Sequence, residues 1–322
     1  MIKITGGTGF IGSHIVEYFR KKGADISLVT RDIADLCDLD SLTKAFSGAD
    51  CVIHNAARAS DWGAYSEFYE NNVIDTQNVL DGCVANGVSY VIITSSCSVY
   101  GEEDFNGVKN EYSPYNSHYT YFCDKIFPCA MNYYRDTKRM AKELALKYAK
   151  DLNICFIEPV WVYGERELNT GFYEYLKSAK SKTPFICGCK HNKFHTIYAE
   201  DLAKAYYLAY NIKATGSYII ASTEAEIMDV LYKEFCKLAG FKKPRNLPKW
   251  ACYPLGFILE LLWTIFKANK PPLLTRGRVN MFYDNIEYSA QKARDELGFK
   301  CDYSLRESIE KTVRWYKEEG LL

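Results

Sequence analysis

Short apolar runs alternate with helix-like patterns through the first half of the chain. Brief apolar runs bounded by turn residues are typical of buried strands, and longer segments with apolar residues three and four positions apart are typical of helices. The predicted strands are Ile2–Thr5, Ile26–Thr30, Cys51–Asn55, Tyr90–Ser95 and Ile154–Glu158. The predicted helices between them are Ser13–Lys22, Leu39–Ser47, Glu67–Asn86 and Asn132–Asp151. This order predicts right-handed βαβ crossovers and therefore an α/β fold with a doubly wound parallel sheet.

The alternation weakens in the second half of the chain. A helix from Ala203 and a strand over Gly216–Ala221 are followed by segments that read as helices and loops, including Ile227–Gly240 and the amphipathic closing helix Leu305–Glu318. Between these lies the apolar run Leu255–Phe266, whose only charged residue is a glutamate. The run is too short to span a bilayer, so we predict a buried or interfacial helix and no transmembrane span.

A glycine-rich turn joins the first predicted strand to the first predicted helix. Its glycines have the G-x-G-x-x-G spacing of a dinucleotide-binding turn. Gly6 allows the tight turn, Gly9 lets the backbone approach a pyrophosphate, and Gly12 lets the helix pack on the strand. The helix N-terminus offers N–H groups and a positive dipole end to phosphates. The turn therefore predicts a dinucleotide cofactor in contact with Gly6, Thr8, Gly9, Phe10, Ile11 and Gly12.

Ligands of doubly wound sheets lie beyond the carboxyl ends of the strands. The residues at those predicted ends are Gly6, Thr30, His54, Ser95 and Pro159. We therefore predict a Rossmann dinucleotide-binding domain formed by residues 1–160 plus about 191–214. Residues of about 161–190 and 215–322 are predicted to form a smaller substrate-binding lobe.

The end of the second predicted strand bears on the choice of cofactor. NAD-binding sites place an Asp or Glu about 20 residues after the glycines, where it binds the ribose 2′-OH. This chain has Thr30 and Arg31 there, followed by Asp32. Because an arginine suits a 2′-phosphate, the sequence favours NADP(H), and Asp32 keeps NAD(H) open. Asp35 and Leu36 are candidates for flanking the adenine.

The composition of the chain limits the kinds of partner that we expect it to bind. Forty basic and forty acidic residues give no net charge, so we expect a small-molecule substrate and no nucleic-acid partner. The twelve cysteines lack zinc-site spacing, and we expect no metal. Their number, with no export signal at the N-terminus, favours a cytoplasmic location.

Two segments carry groups suited to proton transfer. Ile93–Gly101 ends a predicted strand with a cluster of hydroxyl groups, and Tyr134 and Lys138 stand four apart in a helical pattern, so that they share one face. A tyrosine is a poor acid or base at its ordinary pKa of about 10. A nearby ammonium favours the phenolate and lowers that pKa toward neutrality. A serine hydroxyl beside them can hold a substrate oxygen in line for proton transfer.

In this order the motifs TGGTGFIG, HNAA (His54–Ala57), TSSCSVYG (Thr94–Gly101) and YRDTK resemble an extended short-chain dehydrogenase/reductase of the NAD-dependent epimerase/dehydratase superfamily. The resemblance implies that Ser96 orients the substrate, that Tyr134 is the general acid/base, and that Lys138 tunes Tyr134 and binds the nicotinamide ribose. It also implies a homodimer formed through the two long helices of the first half. It extends the expected cofactor contacts to Asn55, Ala56, Ala57, Thr94, Pro159, Val160 and Val162.

The second half is similar to the 3β-hydroxysteroid dehydrogenase and sterol-4-carboxylate 3-dehydrogenase branch, on the apolar run Leu255–Phe266 and on Pro271–Arg276. That resemblance implies an NAD(P)-dependent oxidoreductase that interconverts a secondary alcohol and a ketone on an apolar, steroid-like substrate. It also implies peripheral membrane contact, although the apolar run can equally be a plain core helix. One alternative is a nucleotide-sugar epimerase or dehydratase with tightly held NAD, using Lys270, Arg276 and Arg278. Another is a non-catalytic protein that senses the cofactor.

One residue departs from the motifs of this family, and two further features have roles that the motifs do not define. Glu158 stands where many relatives have an arginine, which we expect to alter local packing rather than activity. Asn72 either supports a helix or takes part in a water relay. The long segment Glu102–Met131, between the serine and the tyrosine, is predicted to be a functional loop or lid.

Overall fold

A computed structural model describes residues 1–101, 107–168, 171–182 and 185–322. The N-terminal end of the predicted lid, residues 102–106, lies outside the described residues. The strands are β1 Ile2–Thr5, β2 Ile26–Val29, β3 Cys51–His54, β4 Tyr90–Thr94, β5 Asn153–Pro159, β6 Trp161–Tyr163, β7 Phe185–Cys187, β8 Lys193–Phe194, β9 Thr196–Tyr198, β10 Gly216–Ile220, β11 Glu226–Ile227 and β12 Arg245–Leu247.

The α-helices alternate with the strands at first and dominate later. They are α1 Phe10–Lys21, α2 Leu39–Ala45, α3 Tyr65–Tyr69, α4 Asp75–Ala85, α5 Ala130–Leu146, α6 Phe172–Lys180, α7 Ala199–Ile212, α8 Met228–Ala239, α9 Lys249–Ile265, α10 Arg276–Met281, α11 Gln291–Leu297 and α12 Leu305–Glu318. A π-helix, Glu70–Ile74, joins α3 to α4, and a short 3₁₀-helix, Cys97–Tyr100, follows β4.

Six parallel strands form the main sheet in the order β10-β5-β4-β3-β1-β2. Strands β3 and β4 are buried along their whole length, because helices cover both faces of the sheet. Successive residues of these strands contribute to different core clusters: Ile53 and Ile92 to one, and Val52 and Val91 to the other. The predicted α/β fold with a doubly wound parallel sheet is confirmed.

The remaining strands form small two-stranded sheets. Strands β6 and β9 pair in parallel, as do β7 and β12, whereas β8 and β11 are antiparallel. The register of the main sheet aligns Thr5 with His54, and His54 with Ile93. The carboxyl ends of β1, β3 and β4 therefore lie side by side, which is where the predicted site residues meet.

Helices α1, α2 and α5 begin or end at other residues than predicted, and two further helices differ more. The predicted continuous helix Glu67–Asn86 contains the π-helix in its middle. Helix α9 begins at Lys249, earlier than the predicted apolar run, and includes Pro254. The predicted start follows the apolar run alone, and the run does not include the first turns of the helix.

Helix α9 lies on the surface. Its buried residues are Cys252, Gly256 and Glu260, so of the two alternatives that the sequence left open, the plain core helix is wrong. In the described ranges of the chain, no helix combines the length and apolar character needed to cross a bilayer.

Candidate active site at the carboxyl ends of the strands

The glycine turn has the geometry that a dinucleotide cradle requires. Gly6 has a φ of 65°, and a Cβ there would lie 2.6 Å from the Ala56 nitrogen. A Cβ at Gly12 would lie 2.0 Å from the Gly6 carbonyl oxygen. Both positions therefore exclude any side chain, and the turn and the helix pack together through bare backbone.

The start of α1 is open to a ligand. Gly9 is its N-cap and provides no side chain to cap the first N–H groups. Thr8 and Gly9 are exposed, and Phe10 and Ile11 are half-buried. An exposed helix N-terminus without a capping side chain suits a phosphate, so these residues fit the dinucleotide that the turn predicts.

A buried hydrogen-bond chain fixes the backbone beside the turn. His54 Nδ1 lies 2.8 Å from Thr5 Oγ1, and His54 Nε2 lies 3.1 Å from Thr76 Oγ1. The Thr76 hydroxyl donates to the Asn72 carbonyl at 2.7 Å, so Nε2 must carry the histidine proton. Burial lowers the pKa of His54 to about 3, which keeps the ring neutral. Thr5 Oγ1 also accepts the Ala56 N–H at 3.3 Å, so the chain positions Ala56 against Gly6.

Asn55 and Thr94 connect the glycine turn to the middle of the sheet. The Asn55 amide donates to the Gly6 carbonyl at 3.3 Å, and the Thr94 hydroxyl donates to Asn55 Oδ1 at 2.9 Å. Thr94 Oγ1 also lies 2.7 Å from the Tyr206 hydroxyl. These contacts bring two predicted cofactor residues into one network with the turn.

Lys138 reaches the same place from α5. Its ammonium donates to the Thr94 carbonyl at 2.6 Å, and burial lowers the pKa of Lys138 to about 8. Tyr134 lies one turn earlier on the helix, half-buried. Burial raises the pKa of Tyr206, and the neighbouring Tyr134 phenol adds to that shift. Lys138, Thr94 and Tyr206 thus form one cluster, and Tyr134 lies one helical turn from Lys138 on α5.

Ser96 is buried just beyond the end of β4. It is the N-cap of the 3₁₀-helix, where its Oγ accepts the Ser98 N–H at 3.2 Å. Thr94, two residues earlier, holds the Lys138 ammonium. The predicted serine and lysine therefore approach the same strand end.

The residues predicted to contact the adenosine half of the cofactor lie apart from this cluster, beyond the end of β2. Arg31 and Asp35 are exposed, and the Leu36 carbonyl accepts the Asn78 amide at 2.9 Å. Burial raises the pKa of Asp75 on α4, Asp35 raises it further, and Arg31 opposes the shift. Arg31 and Asp35 therefore carry opposite charges in the same neighbourhood.

The other predicted cofactor residues lie at two strand ends. Ala57 is exposed in the loop after β3. Pro159 ends β5. Val160 is buried just before β6, and Val162 is buried within it. The Val160 N–H donates to the Ile220 carbonyl at 3.2 Å, which holds this segment against the edge strand.

Asn72 has partners for both ends of its side-chain amide. Its Oδ1 accepts the Arg58 N–H at 2.8 Å, and its Nδ2 donates to the Arg58 carbonyl at 3.3 Å and to Thr137 Oγ1 at 3.0 Å. Thr137 precedes Lys138 on α5. These bonds support the helix-supporting role of Asn72 rather than the water relay.

Glu158 is fully buried at the end of β5. Its Oε1 lies 2.6 Å from the Lys142 ammonium, and its Oε2 accepts the Tyr100 hydroxyl at 2.7 Å. Lys142 also donates to the Tyr100 oxygen at 2.8 Å. Sequence reasoning noticed Glu158 but missed Lys142, because nothing in the pattern of α5 distinguishes an inward lysine from a solvated one.

The two candidate phosphate-binding arginines are already paired. Arg276 is fully buried and binds both carboxylate oxygens of Glu260 at 2.9 Å. Arg278 binds both oxygens of Asp61. Lys270, the third candidate, is exposed. Asp61 was not predicted, since the pair joins positions 217 residues apart.

A glycine cradle at a helix N-terminus, beyond the ends of a parallel six-stranded sheet, defines a dinucleotide-binding α/β protein. The chain belongs to the NAD dependent epimerase/dehydratase family, whose model matches residues 2–221. This family corresponds to the extended short-chain dehydrogenases/reductases. NAD(P) is the cofactor expected for the family.

Among curated relatives, the chain is 26% identical to the 2-alkyl-3-oxoalkanoate reductase of Stenotrophomonas maltophilia, over 96% of this chain and 97% of that protein. It is 28% identical to the 3beta-hydroxysteroid-dehydrogenase/decarboxylase isoform 2 of Arabidopsis thaliana, over 96% of this chain but only 61% of that protein. It is 25% identical to the mouse (Mus musculus) decarboxylating sterol-4-alpha-carboxylate 3-dehydrogenase, over 97% of this chain and 89% of that protein.

Solved structures share the fold. The crystal structure of gox2253 superposes with a TM-score of 0.79 at 23% identity, covering 100% of this chain and 99% of that one. MoeE5 in complex with UDP-glucose and NAD superposes with a TM-score of 0.76 at 22% identity, covering 99% of each chain.

Proposed function

We propose that the protein is an NAD(P)-dependent oxidoreductase that interconverts a secondary alcohol and a ketone on an apolar, steroid-like substrate. The observation that carries the proposal is the buried Lys138 ammonium, bonded to Thr94 at the end of β4 and one helical turn from Tyr134. Bound NAD(P) would supply or accept the hydride. The cradle around Gly6 and Gly12 would hold its pyrophosphate.

The proposed roles of the chain's own groups follow from their charges. A buried ammonium favours an ionised phenol nearby, so Lys138 lowers the cost of removing the Tyr134 proton. In the reduction direction Tyr134 gives its proton to the substrate oxygen, and in oxidation it takes that proton back. Ser96 holds the same oxygen by a hydrogen bond.

An apolar substrate is favoured over a nucleotide sugar by the charge of the second half. A sugar nucleotide brings a diphosphate, which arginines bind through charge-assisted bonds. Arg276 and Arg278 each already bind a carboxylate. The names of the curated relatives point the same way, to reductases and steroid dehydrogenases, whereas those of several similar structures name sugar nucleotides.

The experiment is a turnover assay with matched tyrosine variants. The purified protein is assayed with NADPH and with NADH against 3-ketosteroids, 2-alkyl-3-oxoalkanoates and UDP-sugars. Tyr134→Phe should lower kcat by two or more orders of magnitude, as expected when a general acid is removed, with cofactor affinity roughly unchanged. The adjacent Tyr133→Phe, whose ring packs on Phe68 and Tyr65, is the control and should retain activity.

Two outcomes of this assay contradict the proposal. Wild-type turnover in Tyr134→Phe would remove the assigned acid/base. Absence of ketone reduction, together with NAD that stays bound through purification and turnover of a UDP-sugar, would instead establish the epimerase or dehydratase alternative.

We also propose that one face of α9 contacts a bilayer surface. Leu255, Ile258, Leu262 and Ile265 form an exposed stripe at helical spacing, and Ile258 is 50% exposed. Lys267 and Lys270 follow the stripe, so its chemistry suits anionic headgroups. Sedimentation with phosphatidylserine-containing vesicles should fall when Ile258 and Ile265 are changed to serine, and equal sedimentation would refute the contact.

The two-part division of the chain and a homodimer through α4 and α5 remain proposals. Val84 on α4 and Leu146 on α5 are exposed apolar residues on these helices. Light scattering during size-exclusion chromatography gives the mass, and a monomer at micromolar concentration would contradict the dimer.

A further inference from the structure

The loop after β3 reaches from the cofactor cradle to the C-terminal half of the chain. It begins at Ala56, which packs against Gly6. At its far end the Trp62 indole donates to the Ala268 carbonyl at 2.8 Å, and Asp61 binds Arg278 of α10. The loop leaves the carboxyl end of a sheet strand, which is the side of the sheet on which ligands of such folds lie.

Asp61 neutralises the cation at the far end of this loop. Arg278 Nη2 lies 2.8 Å from Asp61 Oδ1, and Nε binds the other carboxylate oxygen. The side chains are 26% and 17% exposed, so the pair is partly accessible. Arg278 is held in place independently, since its Nη1 donates to the Pro272 carbonyl at 3.0 Å. Removing the negative charge would therefore leave a guanidinium at this end of the loop.

The neighbouring arginines follow the same arrangement. Arg58, on the same loop, lies 2.9 Å from Glu67, and Arg276 binds Glu260. Each of these three arginines is thus matched by a carboxylate of the chain. A substrate carboxylate would have to compete with an existing, well-placed partner.

We propose that Asp61 sets the charge specificity of the substrate site: by holding Arg278, it makes the site select uncharged alcohols and ketones over carboxylates. The inference rests on the proposed oxidoreductase function and narrows its substrate class. The 2-alkyl-3-oxoalkanoate reductase acts, by its name, on an acid, whereas this inference predicts that the present chain prefers an uncharged alcohol or ketone.

The test compares one alcohol in two charge states. Methyl 3-hydroxydodecanoate and 3-hydroxydodecanoate are oxidised with NADP⁺ or NAD⁺, and the kcat/KM of the ester is divided by that of the acid. Asp61→Asn keeps the shape and one acceptor but removes the charge. We expect the ratio to fall about tenfold, equivalent to about 1.4 kcal/mol, through a lower KM for the acid with kcat nearly unchanged.

Further variants separate charge from structure. Arg278→Gln leaves Asp61 unpaired and should raise the ratio, and this result does not depend on whether Asp61→Asn folds. The double variant has no net charge at this end of the loop and should return the ratio toward the wild-type value. Asp229→Asn breaks a pair of similar exposure, with Lys243 on another part of the surface, and should leave the ratio unchanged.

The outcomes distinguish this inference from the function on which it rests. If the wild-type protein oxidises the ester but neither Asp61→Asn nor Arg278→Gln changes the ratio, the specificity role is wrong and the oxidoreductase function stands. If the wild-type protein oxidises neither probe nor a 3-hydroxysteroid, the proposed function is overturned, and this inference with it.

Discussion

The buried Glu158–Lys142 pair gives the sharpest prediction about stability. Glu158→Gln keeps the size of the side chain but removes its charge. The Lys142 ammonium, 2.6 Å away and only 3% exposed, would then be buried beside an amide that cannot neutralise it. The Tyr100 hydroxyl, which bonds to both groups, cannot supply the missing charge.

The expected loss follows from the burial. Removing one partner of a buried ion pair typically costs about 3–5 kcal/mol. The unfolding entropy of a 322-residue chain is about 0.7 kcal/mol/K near 60 °C. The melting temperature should therefore fall by about 4–7 °C. An arginine at 158 would bury two cations together and should destabilise the fold still more.

Thermal unfolding followed by circular dichroism measures the effect. The control is Glu310→Gln, which removes an exposed pair with Arg306 and should leave the melting temperature nearly unchanged. Replacing both buried partners, as in Glu158→Leu with Lys142→Met, should recover most of the loss, because no charge stays unpaired. If the melting temperature of Glu158→Gln equals that of the control variant, the pair does not stabilise the fold and the reasoning is wrong.

Three further predictions concern the cofactor end and the buried lysine. Gly12→Ala should abolish cofactor binding in a fluorescence titration, since its Cβ would lie 2.0 Å from the Gly6 oxygen; binding at wild-type affinity would contradict the cradle. Arg31→Ala should raise the KM for NADPH about tenfold and leave that for NADH nearly unchanged, whereas equal changes would count against NADP. Burial lowers the pKa of Lys138 from 10.5 to about 8, so the unfolded chain binds more protons between those values. This group should therefore add about 3 kcal/mol of stability as the pH rises through that window. Urea unfolding of Lys138→Met should show no such gain. If the free energy of unfolding depends on pH equally in both proteins, the lowered pKa of Lys138 is refuted.

Local pattern predicted what depends on local forces. The bounds of β1 and α12 match their predicted ranges, because the apolar periodicity and the Ser304 capping box each depend on only a few neighbouring residues. The glycine turn was also predicted from a short stretch of sequence: a Cβ at Gly12 would clash within the turn, and a Cβ at Gly6 would clash with Ala56 just after β3. The contact between Lys138 and the end of β4 could not be deduced from a short stretch of sequence, because it depends on the order of the strands and helices in the fold.

Contacts between distant segments could not be predicted in this way. Lys142 and Arg278 look like ordinary surface residues until the fold brings each to a carboxylate. The π-helix is equally hidden: Asn72 within it bonds to the Arg58 backbone and to Thr137, and these partners lie in other segments of the chain. The catalytic roles of Ser96, Tyr134 and Lys138 stay predictions until the variants are measured.

The π-helix also sets the rotational phase between two helical faces. Each residue of an α-helix advances the chain by about 100°, and a π-turn inserts an extra residue into one turn. Before it, Tyr65 and Phe68 face Tyr133, with ring centroids 5.5 and 6.1 Å apart. After it, Val79 and Leu80 face the sheet. If the same residues formed an unbroken α-helix, with no residue removed, one of the two faces would turn by about 100°. The wider turn at 70–74 therefore lets both faces pack at once.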